Sequence, residues 1–357
     1  MNFKINYHAA ELRGIKTKQL LALSFRLVRN LSSVSKKDSR RSGNDIRETC
    51  IMPALIFLCF FFLISWGCTQ EETPKKVSLY NKTAENRGGV EHDEKDTIRF
   101  GFDLRLGPKE DVRIYGPLLE YLEKATGKHF SIKFTEKYED TVENLGKGIT
   151  HFAAVGSLSY VVGKEKYGDR IKYLVSGVND EGEPRYEAVI FTRPGSNIQT
   201  VNDLKGKSFA FGPKMSTQGH LIPRKMLEDA GITLKDLSYY IHTDSHINTV
   251  SSVLNGECDA GGIQDVLARR LEIEGKIKVL KISDSYPSSL IAYNSTVDSK
   301  TVEAVRSALF AFEPTGRHKN MLVDWDKTEM PLGFISVNES EFYKVAVLAR
   351  KYGLLTK

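Results

Sequence analysis

Cysteine is scarce where a fold could use it. Of the four in this 357-residue chain, Cys50, Cys59 and Cys68 lie in or beside one apolar run, and only Cys258 falls in the main body. No internal disulfide framework can form there, so buried apolar surface must hold the fold. At 41% hydrophobic residues, a chain of this length can core one large or two smaller domains. A dominant charge is also missing from most of the chain. The formal +6 is a front-end property: residues 1–50 hold 11 Lys and Arg against 4 Asp and Glu, a net of +7, and +6 less +7 leaves −1 for the rest. A near-neutral body excludes a broad nucleic-acid surface.

Residues 1–50 are basic and serine-rich and match no domain pattern; Met52 offers a second start codon. Residues 51–67 are then 17 positions without a charge, preceded by cations, and read as a signal peptide's apolar region or a short membrane anchor. A buried core helix would not be apolar on every face and run straight into a polar tail. The run ends at Cys68, which resembles the cysteine that bacterial lipoproteins cleave before and lipidate, although Ser65 and Trp66 stand where that group favours leucine and a small residue. Lipidation at Cys68 is the expectation and a retained anchor the alternative. By the positive-inside rule both leave the main body outside the cytoplasmic membrane, joined to it by a polar tether over residues 68–96.

From residue 97 the texture becomes α/β. Strands are expected at 98–102, 130–134, 151–156, 187–192, 208–211, 238–242, 259–263, 279–282 and 289–293, and helices at 114–125, 140–147, from 157, 201–207, 219–230, 247–255, 265–274, 302–312 and 341–352. Strand and helix in alternation imply parallel pairing with helices on the sheet faces. Two such units appear, the second inserted before the chain returns to the first. This predicts two lobes, 97–187 with 290–357 and 188–289, and a ligand cleft between them at the carboxyl ends of the strands.

The sharpest local signal is residues 209–219, Phe-Ala-Phe-Gly-Pro-Lys-Met-Ser-Thr-Gln-Gly, just before a helical pattern. It reads as a buried strand, a turn, and a helix start with Ser216 or Thr217 at the N-cap. Unpartnered first-turn N–H groups, the positive end of the helix dipole and two adjacent hydroxyls together make an anion seat. A plain capping role for Ser216 fits the same residues, and Tyr138 and Tyr186 could be ordinary half-buried tyrosines. His242 and His246 are four apart, but a strand end separates them from a common helix and no acidic third ligand is suitably spaced, so neither metal nor cofactor is expected. His220 reads as a solvated helix residue, Lys205-Gly-Lys207 as a solvated turn, and Cys258 as an inert buried thiol.

Taken together, Tyr115-Gly-Pro-Leu-Leu-Glu-Tyr-Leu, Gly156-Ser-Leu-Ser-Tyr160, Asp203-Leu-Lys-Gly-Lys-Ser-Phe-Ala-Phe-Gly, Ser216-Thr-Gln-Gly219, Ser245-His246 and Gly256-Glu-Cys-Asp-Ala-Gly261 resemble, in order and spacing, the phosphate/phosphite/phosphonate-binding proteins of ABC importers. That family has the two-lobed type II periplasmic-binding-protein fold. The resemblance implies that Ser216 and Thr217 hold phosphoryl oxygens, that His246 donates to the same group, and that the hydroxyls of Tyr138 and Tyr186 close over it. Ser157, Ser159 and Tyr160 would supply a further helix start. The family commonly has Ser-Thr-Ser-Gly where this chain has Ser216-Thr-Gln218-Gly219, so Gln218 is expected to change one contact. Asp265 lies near a position where aminoalkylphosphonate binders meet the ligand amine, but Ser288 stands where a second acid is expected. A 2-aminoethylphosphonate-type ligand is therefore disfavoured. Neutral donors and helix ends could hold a dianion without a buried Arg or Lys.

The resulting expectation is a monomeric, membrane-tethered solute-binding protein, not an enzyme, which delivers a small phosphorus oxyanion or organophosphonate to an ABC permease. Two rivals use the same fold. One is a ligand-sensing input module, which a retained anchor would favour. The other is an enzyme acting on thiamine or its pyrimidine, which would need a reactive Cys258 or a bound cofactor.

Overall fold

The computed structural model describes residues 97–133, 135 and 137–355. The expectations for the basic extension, the apolar run, the tether and Cys68 lie outside these residues. Among the described residues no helix is long and apolar enough to cross a membrane.

The chain begins with β1 (Thr97–Phe102), α1 (Pro108–Thr126), β2 (His129–Ile132), α2 (Asp140–Gly146), β3 (Phe152–Val155), α3 (Ser157–Tyr167) and β4 (Ile171–Gly177). The short β5 (Arg185–Tyr186) leads to β6 (Ala188–Thr192), β7 (Ser208–Phe211), a π-helical turn (Thr217–Leu221) running into α4 (Ile222–Asp229), β8 (Tyr239–His242), α5 (His246–Leu254), β9 (Ala260–Gln264), α6 (Asp265–Ile273) and β10 (Lys278–Ile282). The short β11 (Tyr286–Pro287) then leads to β12 (Leu290–Asn294), α7 (Ser299–Phe310), β13 (Phe334–Ile335) and α8 (Tyr343–Lys351).

Two sheets form, in the orders β2-β1-β3-β12-β4-β13 and β8-β7-β9-β6-β10. Their logic is the same. In each, a parallel trio carries an antiparallel fourth strand on the side of its third member: β12 beside β3, and β6 beside β9. These fourth strands begin where the chain has just crossed between sheets. The expected parallel pairing therefore holds for each trio only, because β4, β6, β10, β12 and β13 pair antiparallel. The two crossings are themselves paired, β5 against β11, with Tyr186 opposite Tyr286.

Strand alternation sorts side chains to the two faces of each sheet. In β3, Phe152 and Ala154 join Leu118, Leu122 and Leu309 in one core, while Ala153 and Val155 join Leu145 and Leu158 on the opposite face. In β7, Phe209 and Phe211 face the cluster of Leu221 and Leu227, and Ala210 faces that of Val250 and Val253.

Two expectations need correction. First, α1 begins at Pro108, six residues before the expected 114, with proline in its first turn, where a missing N–H costs nothing. The Asp111 carboxylate fixes that start by accepting from the backbone N–H groups of Arg105, Leu106 and Gly107. Second, β4 was not foreseen as a strand; it lies between β12 and β13.

Candidate functional site

Three helix starts meet between the two sheets, each just past the carboxyl end of a strand: α3 after β3, the π turn after β7, and α5 after β8. The first two touch directly: Leu158 N donates to Thr217 Oγ1 at 2.8 Å and Ser159 Oγ donates to Met215 O at 3.4 Å, while at the third His246 N donates to Arg105 O, in the chain past β1, at 3.1 Å.

Ser216 is the N-cap of the π turn, its Oγ accepting from Gly219 N at 2.9 Å, so the capping reading holds. The same Oγ lies 3.5 Å from His246 Nε2, which places the cap hydroxyl and the imidazole side by side. Gly219 is needed for close approach. A Cβ there would stand 3.0 Å from both Gly212 Cα and Ser216 Oγ, and 3.1 Å from His246 Cε1. Tyr186 completes a second group: its hydroxyl accepts from Ser157 N and donates to Ser157 Oγ. Ser157 Oγ in turn donates to Pro287 O and Ser288 O, tying α3 to the crossing segments. Tyr138 reaches the same place, because a Cβ on Gly156 would lie 3.4 Å from Thr217 Oγ1, 3.5 Å from the Tyr138 hydroxyl and 3.8 Å from Asp103 Oδ2. Ser157, Ser159, Ser216, Thr217, His246, Tyr138 and Tyr186 are all buried.

Three expected site residues point elsewhere or are already engaged. The Tyr160 hydroxyl donates to Glu339 Oε2 at 2.6 Å and its ring packs edge-on against Phe342, so it braces the C-terminal segment instead of the helix starts. Gln218 uses its amide to donate to Glu187 O and Asp265 Oδ1. Asp265 accepts in addition from Glu187 N and Val266 N, which commits both of its oxygens. His220, read as a solvated helix residue, is instead buried, with its Nδ1 2.7 Å from Lys214 O, whereas Cys258 is buried as expected, and burial raises its thiol pKa. Among the described residues no cluster of His, Cys, Asp and Glu could hold a metal ion.

Several charged residues beside the helix starts were not foreseen. Arg105 is 4% exposed, contrary to the expectation of a site without a buried cation. Its guanidinium pairs with Glu329 at 3.0 Å and donates to the Tyr115 hydroxyl at 2.9 Å and Ser289 Oγ at 3.0 Å. Burial opposes its charge, but Glu329 and Tyr115 outweigh that and hold its pKa above the ordinary value. Arg105, Gln264 and Glu329 also line a pocket of about 10 Å³, room for about one water molecule. Asp103 is 1% exposed, and its Oδ2 accepts from Gly156 N at 2.9 Å and Ser159 Oγ at 3.1 Å. The pattern Asp103-Leu-Arg105 just past β1 was the available sequence signal, because charges at the carboxyl end of a buried strand face a ligand or each other. Glu329 lies in irregular chain and carried none.

Four buried side-chain atoms among the described residues lack a partner, and three of them are in this region: Asp103 Oδ1, His246 Nδ1 and Gln264 Oε1. Burial, with the Arg105 charge added, drives the His246 pKa down to about 3, so the ring is neutral and offers one donor and one acceptor. Burial pushes Asp103 and Asp265 up to about 6 from 3.8. A carboxyl raised in the fold stabilises it fully below its unfolded value, and that contribution is lost as pH rises through the folded one. The melting temperature of the wild type relative to Asp265→Asn is therefore expected to be highest at about pH 4 and below, to fall as pH rises from about 4 to about 6, and to level off above that. A difference independent of pH would contradict a buried Asp265 that titrates late.

A fold of two such sheets with helix starts converging between them can be compared with known proteins. The profile of the family described as "ABC transporter, phosphonate, periplasmic substrate-binding protein" matches residues 100–342. The chain belongs to this family. It is 27% identical over 208 residues to the phosphate-import protein PhnD of Mycolicibacterium smegmatis, covering 54% of this chain and 64% of that protein, so the match spans a little under two thirds of the relative's length. Among solved structures it resembles PhnD1 from Prochlorococcus marinus in complex with methylphosphonate, with a TM-score of 0.65 at 15% identity over 72% of this chain and 98% of the other. A binding protein component of an ABC phosphonate transporter from Pseudomonas aeruginosa gives 0.63 at 18% identity, over 71% and 85%. The alkanesulfonate-binding protein SsuA from Xanthomonas axonopodis, bound to MOPS, gives 0.55 at 16% identity, over 74% and 96%. At these identities the structures share a fold with this phosphonate-family chain, the two-lobed type II periplasmic-binding-protein architecture. The family is one of transport binding proteins, not enzymes.

Proposed function

We propose that this chain captures a small phosphorus oxyanion or organophosphonate outside the cytoplasmic membrane and presents it to an ABC permease. The observation that carries this reading is the convergence of the α3, π-turn and α5 starts, with Ser157, Ser159, Thr217, Ser216 and His246 crowded around one buried point. First-turn N–H groups, hydroxyls and a neutral imidazole supply donors to a tetrahedral anion without adding net charge. The Arg105 guanidinium is already matched by Glu329, so it contributes little net attraction to the ligand.

In this reading the lobes divide at 187/188 and 289/290, and the β5/β11 pair is the hinge about which they close. Tyr138 and Tyr186 close over the ligand from the first lobe. With both oxygens of Asp265 committed and Ser288 lacking a charge, no acidic pair is available to an aminoalkyl group. Lipidation at Cys68 tethers a monomer to the membrane, and retention of the 51–67 segment instead would favour the sensing role.

Isothermal titration of the full chain, purified in detergent, against phosphate, phosphite, methylphosphonate and 2-aminoethylphosphonate tests this reading. Binding of at least one of the first three is expected. Binding of none, or sub-micromolar binding of the amine alone, would overturn it.

A further inference from the structure

We infer that Asp103 is the residue that fixes the ligand class at this site: it shares one proton with the bound oxyanion, admitting species with a P–OH and rejecting sulfate and sulfonates. This rests on the phosphorus-oxyanion reading above and adds to it a rule for which oxyanions enter.

The geometry is one-sided. Asp103 Oδ2 is fully used, accepting from Gly156 N and Ser159 Oγ, with the Tyr138 hydroxyl as a further donor. Oδ1 is buried and has no partner. The carboxyl lies beside Thr217 Oγ1 and the Tyr138 hydroxyl at the start of α3, where the hydroxyl of Ser159 from that helix touches both Asp103 and Met215, just ahead of the π turn's Ser216 cap. An anion next to an ionised carboxylate in a dry site is repelled unless a proton lies between the two oxygens. With donors saturating Oδ2, that proton sits on the Oδ1 side.

The proton balance follows directly. A ligand P–OH can donate to Oδ1 of an ionised Asp103, or a protonated Asp103 can donate to a ligand P–O⁻, and both complexes contain the same single proton. Hydrogen phosphate keeps its last proton well above neutral pH and supplies it. A fully ionised methylphosphonate must take one up from solvent. Sulfate and sulfonates have no proton to give, so they can bind only while Asp103 itself is protonated.

The groups facing this carboxyl are consistent with a shared proton. The Arg105 guanidinium, already paired with Glu329, acts on the carboxyl directly and the Tyr138 hydroxyl bonds to it; Tyr186 lies beside Tyr138, and Asp111, Tyr115 and His246 border Arg105. His246 is neutral and the tyrosines stay protonated through the neutral range, their pKa values raised by burial. Burial also raises Asp103 to about 6.

The test is calorimetry on the full chain with phosphate, methylphosphonate and sulfate at about pH 5.5 and 8.5, in two buffers of different ionisation enthalpy to count protons. Phosphate is expected to bind at both pH values. Sulfate affinity should fall about tenfold per pH unit above the Asp103 pKa, several-hundred-fold below its low-pH value by about pH 8.5. At the higher pH methylphosphonate should take up about one proton per ligand and phosphate about none. Asp103→Asn keeps an acceptor for Gly156 N and Ser159 and adds an N–H₂ donor in place of the carboxylate. It should bring sulfate at about pH 8.5 to within roughly tenfold of phosphate. The proton count is made on the wild type, so it decides even if the variant folds poorly. Phosphate binding together with equally tight sulfate binding at the higher pH, or no proton uptake with methylphosphonate, overturns this inference alone. No phosphorus anion bound at either pH overturns the proposed function as well.

Discussion

Replacing Ser216 with alanine is expected to lower the affinity for inorganic phosphate about 10- to 100-fold, the loss of one charge-assisted hydrogen bond of about 1.5–3 kcal/mol. The melting temperature of the free chain should fall by only a few degrees, roughly what loss of one helix cap costs. The separation arises because Ser216 Oγ has two neighbours, Gly219 N on its own turn and His246 Nε2 on α5. A residue that only caps would lose stability alone. Titration of the variant with phosphate, alongside a thermal melt, tells the two apart, and an affinity within threefold of wild type would reduce Ser216 to a structural cap.

Removing the Glu329 carboxylate has the largest expected effect on stability. Glu329→Ala strands the Arg105 guanidinium, 4% exposed, with only the Tyr115 and Ser289 hydroxyls for partners. Breaking a buried pair from one side costs about 3–5 kcal/mol, which for a domain of this size lowers the melting temperature by about 10 °C. Glu303→Ala removes the acid of the exposed Arg306 pair and serves as the control, with little change expected. A Glu329→Ala loss no greater than the control's would mean that solvent reaches Arg105 and that the pair is not dry.

Residues 208–229 show how much was legible beforehand. β7 falls on 208–211 as expected, and Ser216 caps the next helix, because a short apolar run, a Gly-Pro turn and a hydroxyl before an apolar stripe are all local signals. α5 likewise opens at His246 behind its Ser245 cap. What escaped is non-local. β4 is recognisable as a strand only from its neighbours β12 and β13, both of which arrive from more than 100 residues away. The partners of Asp103 and Arg105 lie at Gly156, Ser159, Ser289 and Glu329, separations that no window of sequence spans. Tyr160 illustrates the reverse error. Its position next to Ser157 and Ser159 suggested a common role, but neighbours on a helix point in different directions, and it turns toward Glu339.

A crystal structure of the chain grown with methylphosphonate is the most direct measurement. The phosphorus atom is expected between the starts of α3, the π turn and α5, with its oxygens within hydrogen-bond distance of Ser216 Oγ, Thr217 Oγ1 and His246. A phosphonate seated elsewhere, with the Leu158 to Thr217 bond unbroken and Ser216 still bonded only to Gly219 and beside His246, would contradict the proposed site.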